Sequence, residues 1–139
     1  MDEGVTRRIR VLIADDSPLV RMALRRFLAE LPGIDVVGVS RDGADALVLA
    51  SRFHPDAVLL DLAMPNLDGL EAARLLKERT PAPAVVICTI DDSEELRVAA
   101  RRAGADAVIR KRDLARRVEH VLTSLLEGAR EGGLREAAP

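Results

Sequence analysis

Five short runs rich in Val, Ile and Leu recur along the chain, at Ile9 to Ala14, Asp35 to Val39, Ala57 to Leu60, Ala84 to Ile90 and Ala105 to Ile109. Each has the length of a strand and is largely apolar on both faces, as expected for a sheet covered on both sides. Amphipathic stretches lie between them. Pro18 to Leu31 places Val20, Leu24, Phe27 and Leu31 four, three and four residues apart, the stripe of a helix lying on a sheet. Ser17 and Pro18 supply its N-cap and first turn, and Gly33 its stop signal. The same reading predicts helices at about Gly43 to Arg52, Asp68 to Glu78, Ser93 to Arg102 and Leu114 to Ala129. This alternation predicts an α/β fold: one doubly wound, five-stranded parallel sheet with helices on both faces, because parallel strands need right-handed crossovers.

The length of 139 residues fits one such core. The domain is expected over residues 8–127, followed by a flexible tail at 128–139, whose two glycines and mixed charge favour fraying from Arg130 to Pro139. No apolar run reaches the roughly 18 residues of a membrane span, and Met1 to Arg8 lack the apolar core of a signal peptide. A cytoplasmic protein without membrane contact is expected. The net charge of −2 gives no pull towards nucleic acid, so no direct nucleic-acid binding is expected of this chain. Cys88 is the single cysteine and lies in an apolar run, which makes it a buried structural thiol. His54 and His120 have no ligand-spaced partners and are expected at the surface or in helix packing.

Candidate chemistry collects where the strands end. In a doubly wound sheet ligands bind outside the carboxyl ends of the strands, at the point where strand order reverses. Strand 1 ends in Asp15 and Asp16, strand 3 in Asp61, strand 4 near Thr89, and strand 5 in Arg110 and Lys111. With the order 2-1-3-4-5, three carboxylates, a hydroxyl and an ammonium meet in one crevice. The carboxylates repel unless a cation binds, and a few hard oxygen donors that leave room for water suit magnesium better than calcium. A carboxylate there can attack phosphorus to give an acyl phosphate. Thr89 and Lys111 could then hold phosphoryl oxygens. Taken singly, each has a plainer reading: helix N-terminus charge for the acid pair, a loop position for Asp61, a strand filler for Thr89 and a solvated strand end for Lys111. Lys111 stands out because the chain uses arginine 19 times and lysine only twice.

These segments resemble the receiver domain of two-component response regulators, from about Arg10 to Leu126. The matching residues are Val11-Leu12-Ile13-Ala14-Asp15-Asp16-Ser17, then Asp61 through Met64-Pro65-Asn66 to Asp68-Gly69, then Thr89, and Gly104-Ala105 with Lys111 seven residues after the glycine. The resemblance implies a flavodoxin-like fold and phosphorylation on Asp61 by a sensor histidine kinase or phosphotransfer protein. It further implies that Asp16, Asp61 and the backbone carbonyl of Ala63 bind Mg2+, that Asp15 acts through water, and that Thr89 and Lys111 read the phosphate. Such a domain is no enzyme towards other substrates; it catalyses its own phosphoryl transfer and slow dephosphorylation, and switches a surface for a downstream effector or output domain. A homodimer through helix 4, strand 5 and helix 5 is a candidate assembly.

Three departures from the family pattern stand out. Val108 occupies the strand 5 position that often holds an aromatic switch residue, and Arg112 follows the lysine where proline is usual. Ile90 replaces a small residue after the threonine and is expected to lean over the phosphoryl group and exclude water. A receiver-like interaction module that works without phosphorylation is the alternative function. A flavoprotein of this architecture disagrees with Asp15 and Asp16, which repel a phosphate, and an aspartyl phosphatase disagrees with Ala63, where it would carry a second aspartate. Too few residues follow helix 5 for a DNA-binding domain, so the sequence is expected to be a stand-alone receiver or one cut from a longer regulator.

Overall fold

The computed structural model describes residues 7–64, 66–91 and 93–137, with side chains to residue 128. Five strands, β1 (Ile9–Ala14), β2 (Ile34–Ser40), β3 (Ala57–Asp61), β4 (Ala84–Thr89) and β5 (Ala107–Arg110), form one parallel sheet in the order β2-β1-β3-β4-β5. They alternate with α1 (Pro18–Ala29), α2 (Gly43–Phe53), α3 (Gly69–Lys77), α4 (Glu94–Arg102) and α5 (Leu114–Ala137). Among the described residues no helix is long and apolar enough to cross a membrane.

Because side chains alternate along a strand, each central strand feeds two cores. Val11, Ile13, Leu59, Val86, Cys88 and Ile109 point to one face and pack against Leu24 and Leu28 of α1 and Val118 and Leu122 of α5. Leu12, Val58, Leu60, Val85 and Ile87 point to the other, against Ala46 and Ala50 of α2, Ala72, Ala73 and Leu76 of α3 and Ala100 of α4. The alanines on this second face let three helices crowd onto the sheet with little side-chain entropy lost. Cys88 is buried, as expected, and burial pushes its thiol pKa up to about 12.

Caps explain where the helices begin. Ser17, Asp42, Asp68 and Ser93 each accept a backbone N–H from three residues on, and Pro18 occupies the first turn of α1. Several ends differ from the sequence reading, those of β5 and α5 among them. β5 starts at Ala107, because Ala105 and Asp106 are used by the turn: Ala105 N–H donates to Ala100 O and Asp106 N–H to Val85 O. α5 runs on to Ala137, past the end read near Ala129 and through Gly132 and Gly133, which disfavour helix; the last two residues of the expected tail lie outside the described residues.

The loop between β3 and α3 is closed at its base by Gly69 N–H donating to Leu62 O at 2.8 Å. A Cβ on Gly69 would lie 2.4 Å from the Asp61 carbonyl oxygen and 2.7 Å from Leu62 Cα, so only glycine allows this closure. Gly69→Ala is therefore expected to cost about 1–3 kcal/mol by overpacking, measured by urea unfolding followed by circular dichroism. A loss under about 0.5 kcal/mol, the scatter of ordinary surface substitutions, would show that the backbone yields freely there.

Candidate functional site

The carboxyl ends of β1, β3 and β4 bring polar residues together at the top of an otherwise apolar sheet. Asp15, Asp61 and Thr89 are all buried there, and Asp16 is exposed. Lys111 opens a single 3-10 turn, Lys111–Asp113, between β5 and α5, and its ammonium turns back over the strand ends. Lys111 Nζ lies 2.8 Å from Asp15 Oδ2 and 3.1 Å from Asp61 Oδ1. One carboxylate oxygen from each of Asp15, Asp16 and Asp61 lies within 4.8 Å of the others. Three carboxylates against one ammonium leave two negative charges among these four side chains.

Asp15 is fixed on every side. Its N–H donates to Ser40 O at 3.0 Å, its carbonyl accepts Arg21 Nη1 at 2.7 Å, and its Oδ1 accepts Ser17 N–H at 2.9 Å. That leaves Oδ2 for Lys111. Asp61 pairs with Lys111 and lies near the Ala63 backbone N–H. Burial raises its pKa above the usual aspartate value and the Asp15 charge adds to this, while Lys111 and the Ala63 N–H only partly offset the rise. For Lys111 the order of effects is reversed in outcome: burial lowers its pKa, but the bonds to Asp15 and Asp61 outweigh burial and hold it above the usual value. The ammonium is thus charged at neutral pH.

Thr89 is not in the same contact set. Its Oγ1 accepts the Asp91 N–H at 3.0 Å and so holds the start of the β4–α4 loop. Ile90, next to it, is 88% exposed, so its expected place over the site is not fixed by packing. Val108 is partly buried against the second core cluster. His54 caps α2 in a left-handed conformation at φ 49° and its carbonyl accepts Arg10 Nη1, and His120 is exposed. Arg21 was absent from the sequence reading; it sits within an ordinary helical turn, where no spacing signals that its side chain reaches back to the preceding loop.

The donor set fits a hard divalent cation, because three carboxylate oxygens converge, no nitrogen or sulfur ligand is among them, and their mutual repulsion is only partly relieved by Lys111.

The chain belongs to the response regulator receiver domain family, whose model matches residues 11–122. It is 46% identical over 105 residues to a protein-glutamate methylesterase/protein-glutamine glutaminase of Methanospirillum hungatei, covering 74% of this chain and 30% of that protein. It is 40% identical over 103 residues to the response regulator GacA of Pseudomonas aeruginosa, covering 74% of this chain and 48% of GacA. Among solved structures it is similar to the response regulator domain of Thermotoga maritima CheB, at 33% identity and a TM-score of 0.72 over 90% of this chain and 96% of that one. The signal receiver domain of NarL from Mycobacterium tuberculosis gives 29% identity and a TM-score of 0.78 over 90% and 98%. The motif resemblance and the fold it implied are therefore correct, and the chain is a receiver domain of two-component signalling. It spans under a third of the methylesterase relative and about half of GacA.

The raised pKa of Asp61 makes a testable link to stability. A carboxyl whose folded pKa lies above its unfolded value contributes stability that is fully present below the unfolded pKa and lost as pH rises through the folded one. Ionised Asp61 therefore burdens the fold at neutral pH. Asp61→Asn is expected to melt at a higher Tm than the parent at pH 7, with the difference shrinking as pH falls towards the ordinary aspartate value of about 3.9. A lower Tm for the variant at pH 7 would mean that pairing with Lys111 outweighs burial.

Proposed function

We propose that this domain accepts a phosphoryl group on Asp61 from a phosphohistidine of a sensor histidine kinase or phosphotransfer protein, with Mg2+ as cofactor. The observation that carries the reading is the placing of Asp61: a buried carboxylate ending a central strand, with Lys111 at 3.1 Å and two further carboxylates beside it. Asp16, Asp61 and the Ala63 carbonyl would hold the ion directly and Asp15 through water. When bound, magnesium supplies positive charge that offsets the carboxylates and the incoming phosphoryl oxygens.

The protein's own groups account for the rest. An Asp61 carboxylate oxygen forms the new bond to phosphorus as the bond from phosphorus to the imidazole nitrogen breaks, and the electron pair stays on the imidazole, which takes up a proton from solvent. The Lys111 ammonium orients the attacking carboxylate. Lys111 can exchange an Asp61 oxygen for a phosphoryl oxygen without leaving Asp15. Thr89 can likewise turn its hydroxyl from the Asp91 N–H to the phosphate, releasing the β4–α4 loop. That release would carry the signal to α4, β5 and α5, the surface for an output domain, an effector or a second copy. Val108 in place of an aromatic residue makes this a shallow switch, met by small adjustments of a branched side chain. In this reading the domain acts on no other substrate, and the methylesterase activity in the relative's name is not carried over to a chain that spans under a third of its length.

Mass spectrometry after exposure to a small phosphodonor with magnesium is expected to show one added phosphoryl group, none without magnesium, and none in Asp61→Asn. Undiminished labelling of Asp61→Asn would overturn the assignment.

A further inference from the structure

The loop from β3 to α3 carries Ala63 and is pinned at its base by Gly69 N–H on Leu62 O, but its crown has a second anchor. Asn66, left-handed at φ 70°, donates from Nδ2 to Asp42 Oδ2 at 2.9 Å. The other oxygen of the same carboxylate, Asp42 Oδ1, accepts the Asp45 N–H at 2.7 Å and caps α2. Next to this bond, a Cβ on Gly43 would lie 2.1 Å from the Leu67 carbonyl oxygen, so a bare glycine lets the loop backbone lie against the start of α2. The tether also reaches the acid cluster by a second route. Ser40 Oγ donates to the Asp42 carbonyl at 2.7 Å, and the Ser40 carbonyl accepts the Asp15 N–H at 3.0 Å.

We propose that Asp42 is a positioning residue for the magnesium site, acting through Asn66 to hold the 62–68 loop so that the Ala63 carbonyl is presented at a fixed place beside Asp61. The inference rests on the magnesium reading given above. A carbonyl on a loop of seven residues is a useful ligand only if the loop is held, since otherwise each binding event must order it. Asp42 touches neither the ion nor the phosphoryl group. The bonds from Asp45 and Asn66 hold its carboxyl below the usual aspartate range, so both acceptor oxygens are available at neutral pH.

A plain helix cap would need only one oxygen, and this separates the two roles. Asp42→Ser keeps the cap on Asp45, since serine caps as well as aspartate, but has no second acceptor for Asn66. Asp42→Asn keeps both bonds, because its Oδ1 caps while its amide donates to a flipped Asn66. Asn66→Gly removes the tether and keeps the left-handed backbone.

Magnesium alone is titrated into each variant of this chain, with binding read from the Asp61 and Ala63 amide signals by NMR. The magnesium dependence of phosphorylation by a small phosphodonor is read by mass. Asp42→Ser and Asn66→Gly are each expected to bind magnesium roughly tenfold more weakly, the lower end of losses seen when outer supports of metal ligands are removed. Their phosphorylation rate at saturating magnesium should match the parent's, Asp42→Asn should behave as the parent, and the double variant should be no worse than either single one. Parent-like binding by Asp42→Ser, a loss shared by Asp42→Asn, or additive losses in the double variant would each overturn the tether while leaving the magnesium reading intact. A parent that binds no magnesium would overturn both.

Discussion

The contact of one ammonium with two buried carboxylates sets the terms for the upper end of this domain. Lys111 touches Asp15 and Asp61 at once, and both acids lie at strand ends where the surrounding sheet is apolar. Removing Lys111 would leave two buried carboxylates uncompensated, which is far costlier than the contact is stabilising. The lysine does not balance the cluster, because Asp16 is also within 4.8 Å and the pKa of Asp61 remains raised. The site is thus held together while still short of positive charge. Such a state favours a cation and then a phosphoryl group, each of which gives the carboxylates or the ammonium a better partner than they have alone.

The scaffold converts strand order into this chemistry. Parallel strands all end at the same edge, so β1, β3 and β4 deliver Asp15, Asp61 and Thr89 side by side without any one loop having to be long. Below that edge, the two cores fix strand register, since a slip of one residue would turn Leu59 and Leu60 to the wrong faces and Asp61 with them. A backbone donor then completes the aim at Asp15: the Ser17 N–H on Oδ1 leaves Oδ2 for Lys111.

Much of this was legible in the chain itself because it is written in period and order. Apolar runs gave all five strands, helical stripes gave the helices, and polar residues at the run ends named Asp15, Asp16, Asp61, Thr89 and Lys111 before any geometry was known. What escaped depends on contacts with no fixed spacing. Ala105 and Asp106 read as strand because they adjoin Ala107 and Val108, yet their N–H groups close a turn. Arg21 reaching Asp15, and Asn66 reaching Asp42 across 24 positions, leave no periodic trace, and either polar residue would pass as a solvated one. Thr89 was named correctly as a strand end, but its bond to the Asp91 N–H, which makes it a latch on the following loop, is visible only in three dimensions.

Lysine offers the most direct view of the site, because Lys77 and Lys111 are the only two in the sequence and they sit at opposite ends of the sheet. Lys77 is tied to Asp106 and the Pro83 carbonyl near the start of β4, and Lys111 to Asp15 and Asp61. Protein labelled with 15N at lysine Nζ should therefore give two ammonium signals with separate reports. On adding magnesium and a small phosphodonor, the Lys111 signal is predicted to shift and to return as the phosphate is lost, while the Lys77 signal stays in place. A Lys111 signal that does not move while Asp61 carries the phosphoryl mass would contradict the account, as would a parallel shift of both.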